Sequence, residues 1–285
     1  MDPAQISERE RRWATPAAIA TLLAAVLAIG AVIAIASKFG GGGNAERLHK
    51  IDDDPGFFVA AYVIQGIGFA LLAVPLLYLF RAAQARSERV RGQFVGLTIA
   101  GPLFLAAGAI LTGFLLKDAS HDFVLKAVTG SVDHQDNVAQ DVIQANSLAD
   151  VTTGVGVAGA LSFAFAMAYT SFQAMRAGLL SRFWGSLGAA LGVASFAFSQ
   201  YTPLWFIYVG LLIGGWLPRG RPPAWEAGKA IPWPTPGERA AESMQGGDGA
   251  TIEGRATEVD DGSADEIGTT GDPDQPPRRK RKRRR

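Results

Sequence analysis

The chain has 285 residues, 48% of them hydrophobic and 19% charged, with a formal net charge of +1; a soluble domain carries about 25% charged residues. The near-zero charge says nothing about partners, because the sequence is apolar from Thr15 to Leu217 and polar from Pro218 to Arg285, with acids and bases in separate blocks. The lack of cysteine excludes disulfides, thiol catalysis, zinc–thiolate sites and iron–sulfur clusters.

Residues 1–13 read as a polar, arginine-bearing leader, and residues 14–217 as an all-α membrane domain of six transmembrane helices. The six apolar segments are Pro16–Ser37, Phe57–Phe80, Phe94–Leu116, Val151–Met175, Leu179–Phe198 and Leu204–Leu217. A crossing of roughly 30 Å needs about 20 residues, which the first five supply and the sixth does not. No segment carries a charged residue in its interior, where one costs roughly 2.5–3.5 kcal/mol. Ala34-Ile35-Ala36 resembles a signal-peptide cleavage site, but the apolar run is too long and Glu8 and Glu10 lie in the leader, so a retained span is expected.

Basic residues set the expected orientation. Arg9, Arg11, Arg12, Arg81, Arg86, Arg89, Arg91, Arg176, Arg182, Arg219 and Arg221 fall on one side, against Lys38, Arg47, Lys50, Lys117 and Lys126 on the other. The first side is then cytoplasmic, with both termini inside. Trp13 and Trp216 are expected in the inner aromatic belt, Tyr201 and Trp205 in the outer one. The excess of arginine over lysine, with abundant alanine and glycine, suits a GC-rich bacterial genome and hence a bacterial inner membrane.

Within the spans, Gly188/Gly192 and Gly210/Gly214 form GxxxG pairs, expected to let neighbouring helices of one bundle approach closely. Pro75 and Pro102 each remove a backbone donor and crowd the carbonyl four residues earlier, predicting kinks at Leu71 and Thr98. Gly154 to Gly159 matches GxGxxG in letters, but a dinucleotide fingerprint needs a preceding strand and a downstream acid, so it is rejected. Without ionisable groups, only Gln65, Gln173, Thr98, Thr112, Thr153 and Ser162 could serve a transport path, and a proton relay is excluded.

Two outer loops, 38–56 and 117–150, hold all three histidines: His49, His121 and His134. Their neighbouring aspartates would suit a divalent metal. No HxxxH or HExxH pair fixes two ligands on one face, so a solvated acidic loop is expected, with no metal and no cofactor. After Asp133 as N-cap, Val138, Val142, Ala145 and Ala149 predict an amphipathic helix; Gly40–Gly43 then Asn44 predict a break and a capped helix over Ala45–Ile51. No GxSxG elbow is present.

From Pro218 the chain reads as a disordered cytoplasmic tail, 218–285, rich in Pro, Gly and acids and ending in Arg278, Arg279, Lys280, Arg281, Lys282, Arg283, Arg284 and Arg285. That block would associate with anionic lipid headgroups at about 1 kcal/mol per residue. The tail's reach of roughly 40–45 Å keeps it within range of the bilayer, and a nucleic-acid contact is the disfavoured reading.

Two stretches carry a resemblance. One is Asn44–Ala82, with its span ending Leu77-Tyr78-Leu79-Phe80-Arg81. The other is Gly159–Phe198, where Met175-Arg176 is followed by Gly178-Leu179-Leu180-Ser181-Arg182-Phe183-Trp184-Gly185-Ser186-Leu187-Gly188. They are similar to bacterial six-helix integral membrane proteins grouped only as a domain of unknown function, in which proline tends to stand where this chain has Ser181. The resemblance implies architecture and no activity. A non-enzymatic membrane protein is therefore expected; a transporter or channel for a neutral solute and an outer-face metal-binding protein are the competing readings.

Overall fold

The long apolar runs leave every backbone donor and acceptor to be satisfied within its own segment, which in lipid favours helix. The computed structural model describes residues 3–198, 202–218 and 220–233, and among these it contains helices and turns but no strand. The chain divides into Met1–Pro234 and Thr235–Arg285. The second unit, including Arg278 to Arg285, lies outside the described residues.

Helix α1 runs unbroken from Pro3 to Phe39 through Pro16. At 1.5 Å per residue it measures about 55 Å, so the expected leader is the first part of a helix much longer than a bilayer core. After Gly40–Gly43 comes α2, Asn44–Asp53, then α3, Pro55–Leu71, and α4, Ala73–Arg86. The α3/α4 break sits at the predicted place. Pro75 has no N–H for the Leu71 carbonyl, and the Leu72 N–H turns instead to the Phe69 carbonyl at 3.1 Å. Pro102, by contrast, lies inside α5, Val95–Leu125, which continues through it.

Helix α5 also passes nine residues beyond the expected end at Leu116. Leu115, Ala119 and Phe123, four residues apart, remain buried, the last two against α2 and α6, so a polar solvent face does not end the helix. Helix α6, Val132–Ala145, leads to α7, Ala149–Arg176. The N-cap of α6 is Ser131, whose hydroxyl accepts from the His134 N–H at 3.4 Å; Asp133 is one residue inside.

Among the described residues, four segments are long and apolar enough to cross a membrane: Pro3–Phe39, Pro55–Arg86, Gly92–Leu125 and Ala149–Arg176. Their outward faces carry exposed Ile19, Val26, Ile33, Leu103, Phe104, Leu161 and Phe165. A surface of that kind suits lipid and would be an aggregation hazard in water.

The remaining apolar helices are shorter: α8, Arg182–Phe198, and α9, Thr202–Gly214. Glycine sets α8 antiparallel on α7. A Cβ at Gly185 would lie 2.5 Å from that of Met175, one at Gly188 2.5 Å from Ser171 Oγ, and one at Gly192 2.8 Å from the Ala168 nitrogen. That register brings Phe198 level with about Ser162, while α7 continues thirteen residues further, about 20 Å, to Ala149. Helix α9 packs mainly on α1 and touches the start of α8: Trp205 Nε1 donates to the Trp184 carbonyl at 3.0 Å, and Tyr208 stacks on the Trp184 ring. Trp205 is therefore buried, 2% exposed, and does not stand in an outer aromatic belt. The missing Cβ of Gly188 makes room for it, since a methyl there would lie 2.5 Å from Trp205 Cζ2. Tyr201 lies outside the described residues.

Gly210 faces Leu22 and Ala18 of α1, whereas Gly214 faces the ring of Trp216, which is local. Gly159, from the rejected fingerprint, lets α7 meet α5: its Cβ would lie 2.7 Å from the Leu105 nitrogen. All of these glycines except Gly214 are contact points between helices of the one chain.

Candidate functional site

At the end of the bundle that holds α2 and α6, the two expected loops form a helical cap. Ala45, Leu48 and Ile51 of α2 and Ala139 and Val142 of α6 close over Phe39, Phe58 and Phe123. The N-terminus of α2 has no cap from its own N-cap Gly43. Asp136 of α6 supplies it, its Oδ1 accepting the Ala45 N–H at 2.8 Å, where a carboxylate also favours the positive end of the helix dipole. Gly43 is required by this contact, because a Cβ would fall on the Asp136 carboxylate.

This arrangement separates the three histidines. His49 packs edge-on against Phe123 at 5.3 Å, His121 Nδ1 stands 3.6 Å from Asp52 Oδ1, and His134 lies in the first turn of α6 against Gly130. Among the described residues no group of three or more His, Asp or Glu could hold a metal. Asp136, which as sequence looked like a possible ligand, is a helix cap. Beside the histidines, Asp54 caps α3 by accepting the Phe57 N–H at 3.2 Å and pairs with Lys38, whose ammonium lies 4.5 Å over the Phe57 ring. The Lys38 hydrogen bond, then the Phe57 N–H, hold the Asp54 carboxyl below its ordinary value of 3.8.

At the opposite end the bundle is closed by residues expected to be tail. Helix α10, Pro223–Ala227, buries Ala224 and Trp225. Arg86, whose side chain is fully enclosed although its backbone at the end of α4 is partly exposed, is the hub. Its guanidinium binds Glu10 of α1 through two contacts, 2.5 and 2.7 Å, and reaches the Ala224 carbonyl at 3.0 Å. Trp225 Nε1 donates to the Leu179 carbonyl at 3.0 Å and its ring stacks on Tyr78 at 5.8 Å. Tyr78 Oη in turn donates to the Glu10 carbonyl at 2.9 Å. Two further ties hold Trp233: its Nε1 donates to the Leu180 carbonyl at 2.8 Å, and its carbonyl accepts from Arg182 at 2.9 Å. The described chain from 220 to 233 is thus a clasp across α1, α4 and the α7/α8 turn. Pro218 is not where packing ends.

Between the two ends, a cavity of about 220 Å³ lies where the α3/α4 break meets Ser195 of α8 and Thr202 of α9. Leu72, Leu105, Gly156 and Phe163 make most of its wall, and Ser195 and Thr202 contribute hydroxyls. Ser195 Oγ is committed to the Gly192 carbonyl at 2.7 Å, whereas the buried Thr202 Oγ1 has no partner among the described residues. None of the lining side chains titrates. A largely apolar space with one hydroxyl unpaired among the described residues suits a small neutral molecule, and its volume falls below the roughly 300–1,000 Å³ typical of ligand pockets. The break is marked by Pro75, but the two hydroxyls do not stand out in the sequence, because Ser195 and Thr202 sit in apolar runs whose packing depends on distant glycines.

No family model, curated protein or solved structure matches this chain.

Proposed function

We propose that this chain is a non-enzymatic integral membrane protein of a bacterial inner membrane, anchoring the segment 235–285 at the cytoplasmic face. The carrying observation is the Glu10–Arg86–Trp225 clasp, which fixes the chain at Trp233 just before that segment begins. The positive-inside rule puts this end in the cytoplasm, since Arg9, Arg81, Arg89, Arg91, Arg176 and Arg182 cluster there. The basic run Arg278–Arg285 then adds attraction to anionic headgroups, as expected for a tethered charge cluster. A spin label on S263C of the full chain tests this. It should approach vesicles containing phosphatidylglycerol but not pure phosphatidylcholine, and lose that preference when residues 278–285 become Gln. Equal behaviour in both vesicles would overturn the anchoring role.

In this account the six apolar segments are four full spans and one hairpin, α8–α9, which enters from the cytoplasmic side and turns inside the bilayer. Support comes from the α7 register and from the shared lining of the cavity by Thr202, Gly156 and Ala160. Both termini stay on one side, as they would with six crossings.

The central cavity favours a second reading, passage of a small neutral solute past the α3/α4 break. Vesicle flux with A160F tests it: a conducting protein should lose flux when the cavity is filled, and a scaffold has none to lose.

A further inference from the structure

Helices α1 and α4 do not close on each other along their whole length. A groove of about 610 Å³ separates them, running from Arg9 and Arg81 at one end to Ala20 and Val74 at the other. Arg9 to Ala20 spans about 16 Å of helix, close to one leaflet of a roughly 30 Å core. The two ends differ in chemistry. At the mouth both arginines are exposed, and among the described residues neither takes part in an ion pair. Glu10 also lines the mouth, but its carboxylate is held by Arg86. Trp13, 61% exposed, stands between mouth and groove, the position an amphipathic indole takes at the headgroup level. Further in, the lining is apolar: Leu77 and Val74 on one wall, Ala20 on the other.

We propose that this groove is a binding site for one anionic phospholipid of the cytoplasmic leaflet. Its phosphate is gripped by Arg9 and Arg81, and one acyl chain lies along α1 as far as Ala20. Charge selects the ligand: two arginines without an ion pair among the described residues line one mouth, at the level of Trp13, and arginine binds phosphate through paired, charge-assisted hydrogen bonds. The small side chain of Ala20 leaves the width an acyl chain needs. The proposal is separate from the basic run at Arg278–Arg285 and rests on the reading that α1 and α4 share the cytoplasmic leaflet.

The test uses the full chain in detergent micelles, with residues 278–285 changed to Gln so that tail binding does not intrude. Native mass spectrometry follows titration with phosphatidylglycerol or with phosphatidylcholine of the same acyl chains. One phosphatidylglycerol per chain should be held more tightly than phosphatidylcholine. R9Q/R81Q should weaken phosphatidylglycerol roughly 30-fold and leave phosphatidylcholine nearly unchanged. A20F, with both arginines intact, should weaken both lipids, and R89Q/R91Q should change neither. Equal binding of the two lipids, an unaffected R9Q/R81Q variant, or full binding by A20F would each overturn the site. Because the readout is lipid bound in micelles, its failure leaves the membrane topology standing, and a wrong topology leaves the groove measurement valid.

Discussion

Arg86 offers the most demanding test of the clasp. Its side chain is 0% exposed and Glu10 beneath it 9%, so R86M strands a carboxylate with no counter-charge and takes the donor from the Ala224 carbonyl. Removing one partner of a buried pair costs about 3–5 kcal/mol, because the remaining charge stays desolvated. Taking the middle of that range, the folded-to-unfolded ratio should fall roughly a thousandfold. The double variant E10Q/R86M removes both charges and should recover most of the loss, to within about 1–2 kcal/mol of the parent, since buried pairs themselves contribute little net stability. Unfolding by sodium dodecyl sulfate in mixed micelles, followed by circular dichroism, measures both. Tryptophan emission supplies a local readout, because Trp225 loses its cover in R86M. A loss below 1 kcal/mol in R86M, or a double variant no better than the single, would refute a buried, coupled pair.

The hairpin reading predicts depth. A spin label on L204C, at an exposed position near the start of α9, should sit well below one on F57C at the outer end of α3 by paramagnetic accessibility; equal depths would mean that α9 crosses fully. Glycine contacts predict a contrast within one helix. Gly159→Ala forces a methyl to within 2.7 Å of the Leu105 backbone and should cost about 1–3 kcal/mol, whereas Gly154→Ala meets nothing and should be neutral or slightly stabilising in the same unfolding assay. Asp54 predicts a pH effect. A depressed carboxyl contributes stability above its unfolded value of about 3.9 and loses it as pH falls through the lower folded value. Its carboxyl resonance should therefore titrate below 3.8 and move up in K38M; an unshifted midpoint would deny the Lys38 contact in solution.

Hydropathy made the helices legible, and where steric chemistry is local the detail was legible too: Pro75 marks the α3/α4 break because one missing donor acts four residues away. What sequence could not yield depends on partners remote in the chain. Asp136 caps a helix by accepting an N–H 91 residues earlier, that of Ala45, and Arg86 counted only as a loop charge until Glu10 and Ala224 met it. Trp225 was hidden by its prolines, whose composition suggests a linker, although one of them begins α10. The register of α8 on α7 was out of reach for the same reason: an apolar run shows that a segment can sit in lipid, not which glycines set it against its neighbour. Ala119 and Phe123 were a missed signal, since their spacing behind Leu115 already extends the buried face of α5 past the expected membrane edge.

The membrane account as a whole rests on which end of the bundle faces which compartment, and the cysteine-free chain makes that directly measurable. R89C, between α4 and α5, and V132C, at the exposed start of α6, each introduce a single thiol. In intact cells a membrane-impermeant maleimide should label V132C and leave R89C unlabelled until the membrane is opened. The reverse pattern, or labelling of both from outside, would contradict the proposed topology.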